Sequence, residues 1–404
     1  MQKLLYILFM VVQLAGYSQT TKDVTNITPS LLWSVHTAGP LIGSAVTDGN
    51  VVYFGSADHH LYAVQITNGN LLWKYPTGGT IRSTPLMVGE NIIVNSGDGI
   101  LYCLDKKGKP VWKFTTGGEK NYALYSYADY YHSSPVADGN MIYFGSGDHH
   151  IYAVDATTGK LVWKYLTGDV VHSRGATDRE QVYFGSFDGH LYALDKRTGA
   201  FKWKFKSVGH RFFPKGEMQG NVTVFGNKVY IGSRDYNLYA VDTKGGYGLW
   251  NLAFPKGWAM GSPVVQDSVL YVGTSDDMVL MAIDPFTGVT RWKTALKFNV
   301  FGGVAVKDDV IYVGNLMGKL FAIDKTSGNI IWVFKTEAYL QHRKKYFNED
   351  DNYRNDIQSI ITKGDDFLTM YYDLGAIFST PAISGNNLVI TSTDGKVYCF
   401  RSKH

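Results

Sequence analysis

An all-β chain closed into an eight-bladed β-propeller, with four antiparallel strands per blade, is the fold this sequence predicts. Three observations predict it. Tryptophans recur in register at Trp33, Trp73, Trp112, Trp163, Trp203, Trp250, Trp292 and Trp332, spaced 40, 39, 51, 40, 47, 42 and 40 residues apart. Each interval holds about four short runs of alternating β-formers separated by glycine-rich turns. The last unit lacks its final strand, and the chain begins with a spare one.

The stretch MIYFGSGDHHIYAVDATTGKLVWKY, residues 141–165, shows the unit most plainly. Met141–Ser146 reads as a strand and Gly147–His150 as a turn. Ile151–Asp155 is a second strand, Ala156–Gly159 a turn and Leu161–Tyr165 a third strand. Its motif is Ala153-x-Asp155-x3-Gly159-x3-Trp163. The small Ala lets a neighbouring blade approach, and the Asp accepts turn N–H bonds. The Gly supplies a positive φ, and the Trp offers a large apolar plate. The spacing repeats at Ala193, Asp195, Gly199 and Trp203, and again in the units ending at Trp250, Trp292 and Trp332.

In the first unit the four strands, A to D from the channel outward, are Ile42–Thr47, Val51–Gly55, Leu61–Gln65 and Leu71–Tyr75. A-strand starts recur at Arg82, His132, His172, Met218, Met260, Phe301 and Phe378, followed by small residues suited to a crowded centre. The eighth unit offers Ala382–Ile383, Leu388–Ser392 and Val397–Arg401 but no D strand. Leu31–Val35 therefore supplies it and closes the ring, removing two open edges. Three insertions lengthen the D-to-A connections: 117–131, 206–217 and 335–377. In the last, Glu337–Phe347 reads as a short helix, Asn348–Asp356 is polar and Ile357–Ile361 is apolar. D–A and B–C connections share one face of a propeller, so function is expected there.

The chain has 404 residues, 14% aromatic and 18% charged, with 44 glycines, which suits one closed ring over residues 31–404. A net charge of +4 without a long basic run argues against nucleic-acid binding. Lys3, the apolar run Leu4–Leu14 and Gly16-Tyr17-Ser18 read as a signal peptide over residues 1–18, with residues 19–30 a linker. The apolar run is short for a membrane span. The expected location is therefore outside the cytoplasm, periplasmic or secreted, as a monomer with no transmembrane segment after cleavage. Cys103 and Cys399 take the Ala position of the second and eighth units, too far apart for a disulfide, and are expected as buried free thiols.

The repeat, with its GS-x-D-G-x-LYA-x-D turn and terminal Trp, resembles the PQQ-like β-propeller repeat family from about Leu31 to the C-terminus. That resemblance implies two activities. Quinoprotein dehydrogenases hold pyrroloquinoline quinone over the channel with calcium and two adjacent cysteines, and this chain has no adjacent cysteines. The BamB component of outer-membrane β-barrel assembly is a non-catalytic scaffold; here no lipidation cysteine follows the leader. The reading is an exported, BamB-like binding protein with a protein partner in the cell envelope, no catalytic residues, no metal and no cofactor. A quinone-dependent dehydrogenase is the alternative, and carbohydrate or anion binding a further one.

Candidate ligand residues lie at the expected channel mouth. Arg82, His132, His172 and Arg174 come from three consecutive blades and are expected to share one sector, where they suit a carboxylate or phosphate. Their other reading is a rim paired with Asp129 or Glu217. Mutual repulsion would lower both histidine pKa values. Trp258, outside the repeat, would face them as a stacking platform or a packing plug. Tyr122, Tyr125, Tyr127, Tyr130 and Tyr131 in the first insertion suit a glycan, a partner or packing of the loop on itself. Tyr130, Tyr131, His210, Arg211, Tyr339 and His342 are the candidate partner-contacting residues. His59 and His149 stand where sister repeats have Gly, and read as turn residues rather than metal ligands.

Overall fold

The computed structural model describes residues 28–123 and 128–402; the predicted leader, most of the predicted linker, and Tyr125 and Tyr127 lie outside them. Eight four-stranded sheets make up the protein, each antiparallel and ordered A-B-C-D. In the eighth, Ser30–His36 pairs with Lys396–Arg401, Trp33 opposite Cys399, so the first strand completes the last blade. The A strands are shorter than the alternation suggests: Val46–Thr47 in blade one and Ala176–Thr177 in blade four. Upstream of them the chain continues to the channel without strand pairing.

The repeat motif is a joint between blades. Trp163 lies over Gly199 of the next blade, and its Nε1 donates to the Lys196 carbonyl at 3.1 Å. Trp33, Trp73, Trp112, Trp203, Trp250 and Trp292 do the same with Gly69, Gly108, Gly159, Gly246, Gly288 and Gly328. Trp332 faces a blade whose D strand comes from the other end of the chain, and it packs edge-on against Phe400 instead. The motif Asp, present in every socket but that of Gly69, where Gln65 stands, ties the turn together: Asp155 accepts the N–H groups of Thr157 and Thr158 at 3.1 and 2.8 Å. Cys103 and Cys399 are buried free thiols. His59 and His149 have φ of 68° and 73°, the backbone of the glycines they replace.

The third insertion contains more structure than its sequence suggests. Glu337–Tyr346 forms helix α1, started by Thr336, whose hydroxyl accepts from Tyr339 N. Ile357–Ser359 is one 3₁₀ turn, and Gly364–Asp373, not anticipated, is a second helix, α2. The polar starts of α2 concealed it, because its buried residues are only Met370 and Tyr371 near its end. The helices pack over the channel with Tyr130 and Phe347, on the largest apolar cluster of the molecule.

Candidate functional site

The strand pairing identifies eight equivalent residues where the A segments enter the channel: Ile42, Arg82, His132, His172, Gln219, Met260, Phe301 and Phe378. In blade five this corrects the expected start by one residue. Thr223 pairs with Tyr230, which places Gln219 in the ring and Met218 in the sheet interface behind it. All eight are buried except Arg82, which is half-buried. The expected mouth is thus a floor beneath a roof made by the insertions. Its blades two to five are polar; its blades six, seven, eight and one are apolar.

The polar half carries an ion-pair network. His172 Nδ1 donates to Asp129 at 2.8 Å and its Nε2 donates to Glu119 at 2.6 Å. Arg82 donates through Nε to His132 Nε2 at 3.0 Å, through Nη1 to the Asp129 carbonyl and through Nη2 to Asn121. Gln219 accepts from Arg234 at 2.9 Å, and Tyr122 donates to Glu217 at 2.8 Å. The fully buried Arg234 guanidinium lies 4.9 Å from the centre of the Trp258 ring. Arg82, His172 and Arg234 balance Glu119, Asp129 and Glu217 in charge.

This corrects the expected electrostatics. Burial disfavours the charged His172, but Asp129 and Glu119 outweigh it and raise the pKa to about 10. His132 behaves as expected: burial, then Arg82 and His172, push it well below its ordinary value. Being neutral, it accepts the Arg82 hydrogen bond. Asp129 stays below its ordinary value despite burial because of His172 and Arg82. Both carboxylates come from the first insertion: Asp129 is one of the rim partners the sequence offers, and Glu119 is one it does not.

Arg82, His132 and His172 are brought together, but Arg82 and His172 spend their charge on protein acceptors and His132, neutral, is itself one of the Arg82 acceptors. Arg174 is separated from them. Two residues further along its strand, it is exposed to the channel below the floor. Trp258 packs edge-on against Phe213 at 5.0 Å and stacks on Arg234, as part of the roof. Tyr130 and Tyr339 are buried, and Tyr131 donates to the Phe378 carbonyl at 3.1 Å, so these three face inward rather than toward a partner or glycan. Tyr122 is buried as well. Arg211 and His342 are exposed; His210, half-buried, stacks on Tyr236 with centroids 4.3 Å apart.

Sequence reasoning missed exposed apolar residues on the same insertions: Val208, Phe212, Leu340, Phe367 and Tyr372. Their roof position, rather than any motif, makes them stand out. The ring does not fit the quinone-and-calcium site that the resemblance implies. Tyr130 packs at a tilt against Phe301 and Phe378, ring centroids 5.5 and 5.2 Å apart, and fills the space above the floor. Among the described residues, no three of His, Cys, Asp and Glu are grouped to hold a metal ion.

Comparison with known proteins agrees with this architecture. The chain is 24% identical over 397 residues to outer membrane protein assembly factor BamB of Burkholderia pseudomallei, spanning 95% of this chain and 90% of that protein. It is 28% identical over 158 residues to a tetrathionate hydrolase of Acidithiobacillus ferrooxidans, a match that spans only 29% of that enzyme. The crystal structure of BamB from Moraxella catarrhalis superposes with a TM-score of 0.67 at 18% identity, covering 93% of this chain and all of that one. The family model described as outer membrane protein assembly factor BamB matches at residues 20–165, 101–211 and 187–338, overlapping as a repeat must. The chain therefore belongs to the PQQ-like β-propeller repeat family that this BamB model describes.

Proposed function

We propose that this protein is an exported, non-catalytic binding scaffold of the cell envelope that engages a protein partner through its roof, as a BamB-like propeller. The observation that carries the reading is the roof itself. Insertions from separate blades spend their polar and aromatic residues on sealing the channel, and present Val208, Phe212 and Leu340 at 78%, 55% and 61% exposure. Exposed apolar side chains gathered on one face, with Arg211 and His342 beside them, suit a protein interface. Full-length similarity to a BamB supports the kind of partner, a component of outer-membrane β-barrel assembly.

The test is affinity capture from envelope extract with the mature chain as bait, against a Phe212→Asp/Leu340→Asp variant. Barrel-assembly components should be retained by the parent and lost by the variant, with unchanged melting temperature, because both side chains are exposed. Equal retention by both proteins, or none by either, overturns the reading. N-terminal sequencing of the extracytoplasmic form should start at Gln19.

A further inference from the structure

Beneath the sealed floor, the A segments enclose a channel of about 580 Å³, within the size range of small-molecule sites. Its wall is apolar and hydroxyl-bearing, with Pro135 and Pro263 among the former and Thr84 and Thr380 among the latter. Among the described residues lining it, Arg174 alone is charged. None of the described residues hydrogen-bonds its guanidinium, and no carboxylate among them pairs with it.

The position of this arginine is unusual within the repeat. In five of the eight blades the residue at this level accepts a hydrogen bond from the backbone of the preceding blade; Ser262 accepts instead from the Asn221 side chain, and Gly303 has no side chain. Ser44 N donates to Thr84 Oγ1 at 3.0 Å, Thr84 N to Ser134 Oγ at 2.8 Å, and Thr380 N to Ser44 Oγ at 2.9 Å. Arg174 N itself donates to Asn221 Oδ1 at 3.1 Å. Arginine has no acceptor atom in its side chain, so the bond at this level from blade three to blade four is absent, as it is from blade six to blade seven at Gly303, and Ser133 Oγ donating to the Ser173 carbonyl at 2.8 Å holds the two blades instead. The ring gives up a blade-to-blade bond there and gains a cation walled by apolar protein, where its field is poorly screened.

We infer that the channel is a binding site for a small organic carboxylate with an apolar body, held by Arg174 through its carboxylate and by the proline and aliphatic wall through the rest. A guanidinium matches a carboxylate bidentately, which fixes the end that enters first. This site is distinct from the roof, on the other side of the floor, and does not depend on the scaffold reading.

The test is calorimetry on the full chain with three probes: hexanoate, hexan-1-ol and inorganic phosphate. Hexanoate should bind, with hexanol and phosphate both weaker, because each lacks one of the two features. Arg174→Ser should weaken hexanoate by about ten- to a hundredfold, the worth of hydrogen bonds to a charged group, and leave hexanol unchanged. The same variant restores the side-chain acceptor that all its sister blades but the seventh carry, so its melting temperature should hold or rise. Arg174→Gln, similar in length but neutral, should lose hexanoate equally. Absence of hexanoate binding, retention by either variant, or phosphate binding as tightly as hexanoate would each overturn the inference.

Discussion

At the scale of single residues, two histidines 6.0 Å apart are driven in opposite directions by what surrounds them. His132 faces Arg82 and stays neutral; His172 lies between two carboxylates and stays charged. A group whose folded pKa is raised stabilises the fold fully below its unfolded value, near 6.5, and loses that contribution as pH rises through the folded value, about 10. His172→Gln should therefore lower the urea midpoint most at pH 6.5, and the gap from the parent should narrow toward pH 10. Asp129, held below its ordinary value, stays anionic across that window, and groups elsewhere cancel between the two proteins. A gap independent of pH would mean that His172 is neutral in the fold. The sequence made the placement of Arg82, His132 and His172 legible, because the repeat register puts them at one level. Of their partners Asp129 was legible as a rim carboxylate, but Glu119, in a loop outside the repeat, was not.

At the scale of the blade, the recurring Gly and Trp belong to one joint shared by neighbours. Gly199 has φ +71° and a Cβ there would come within 2.7 Å of the Trp163 ring; Gly139 has φ +58° with nothing within 4 Å. Alanine at Gly139 should cost about 1–2 kcal/mol from left-handed backbone alone. Alanine at Gly199 should cost about 1–3 kcal/mol more, because the tryptophan must move. Trp163→Ala empties the same joint and should cost about 3–5 kcal/mol. Chemical denaturation of the three variants checks the order; equal losses for both glycines would remove the joint as the cause. These parts were readable because each is local and the joint is repeated seven times. Helix α2 was not, because only its last turns are buried and its first residues, Gly364, Asp365 and Asp366, read as loop.

At the scale of the molecule, the ring is held shut where Ser30–His36 meets Lys396–Arg401. A chain beginning at Thr37 should leave the Lys396–Arg401 strand as an open edge, and size-exclusion chromatography should show association that the parent lacks. A monomeric truncation of equal stability would mean that the eighth blade stands on three strands. The spare strand at one end and the missing one at the other made this closure legible, whereas the roof, built from three unlike loops, left no periodic trace. The clasp also sets an order of events in time. Thr37 and the Gly395 carbonyl that it hydrogen-bonds lie 358 residues apart, so a chain delivered N-terminus first holds its opening strand ready long before its mate exists. Seven blades can condense meanwhile, each on the one before, and they carry the two ends together at little further entropic cost. Completion waits for the last residues to arrive.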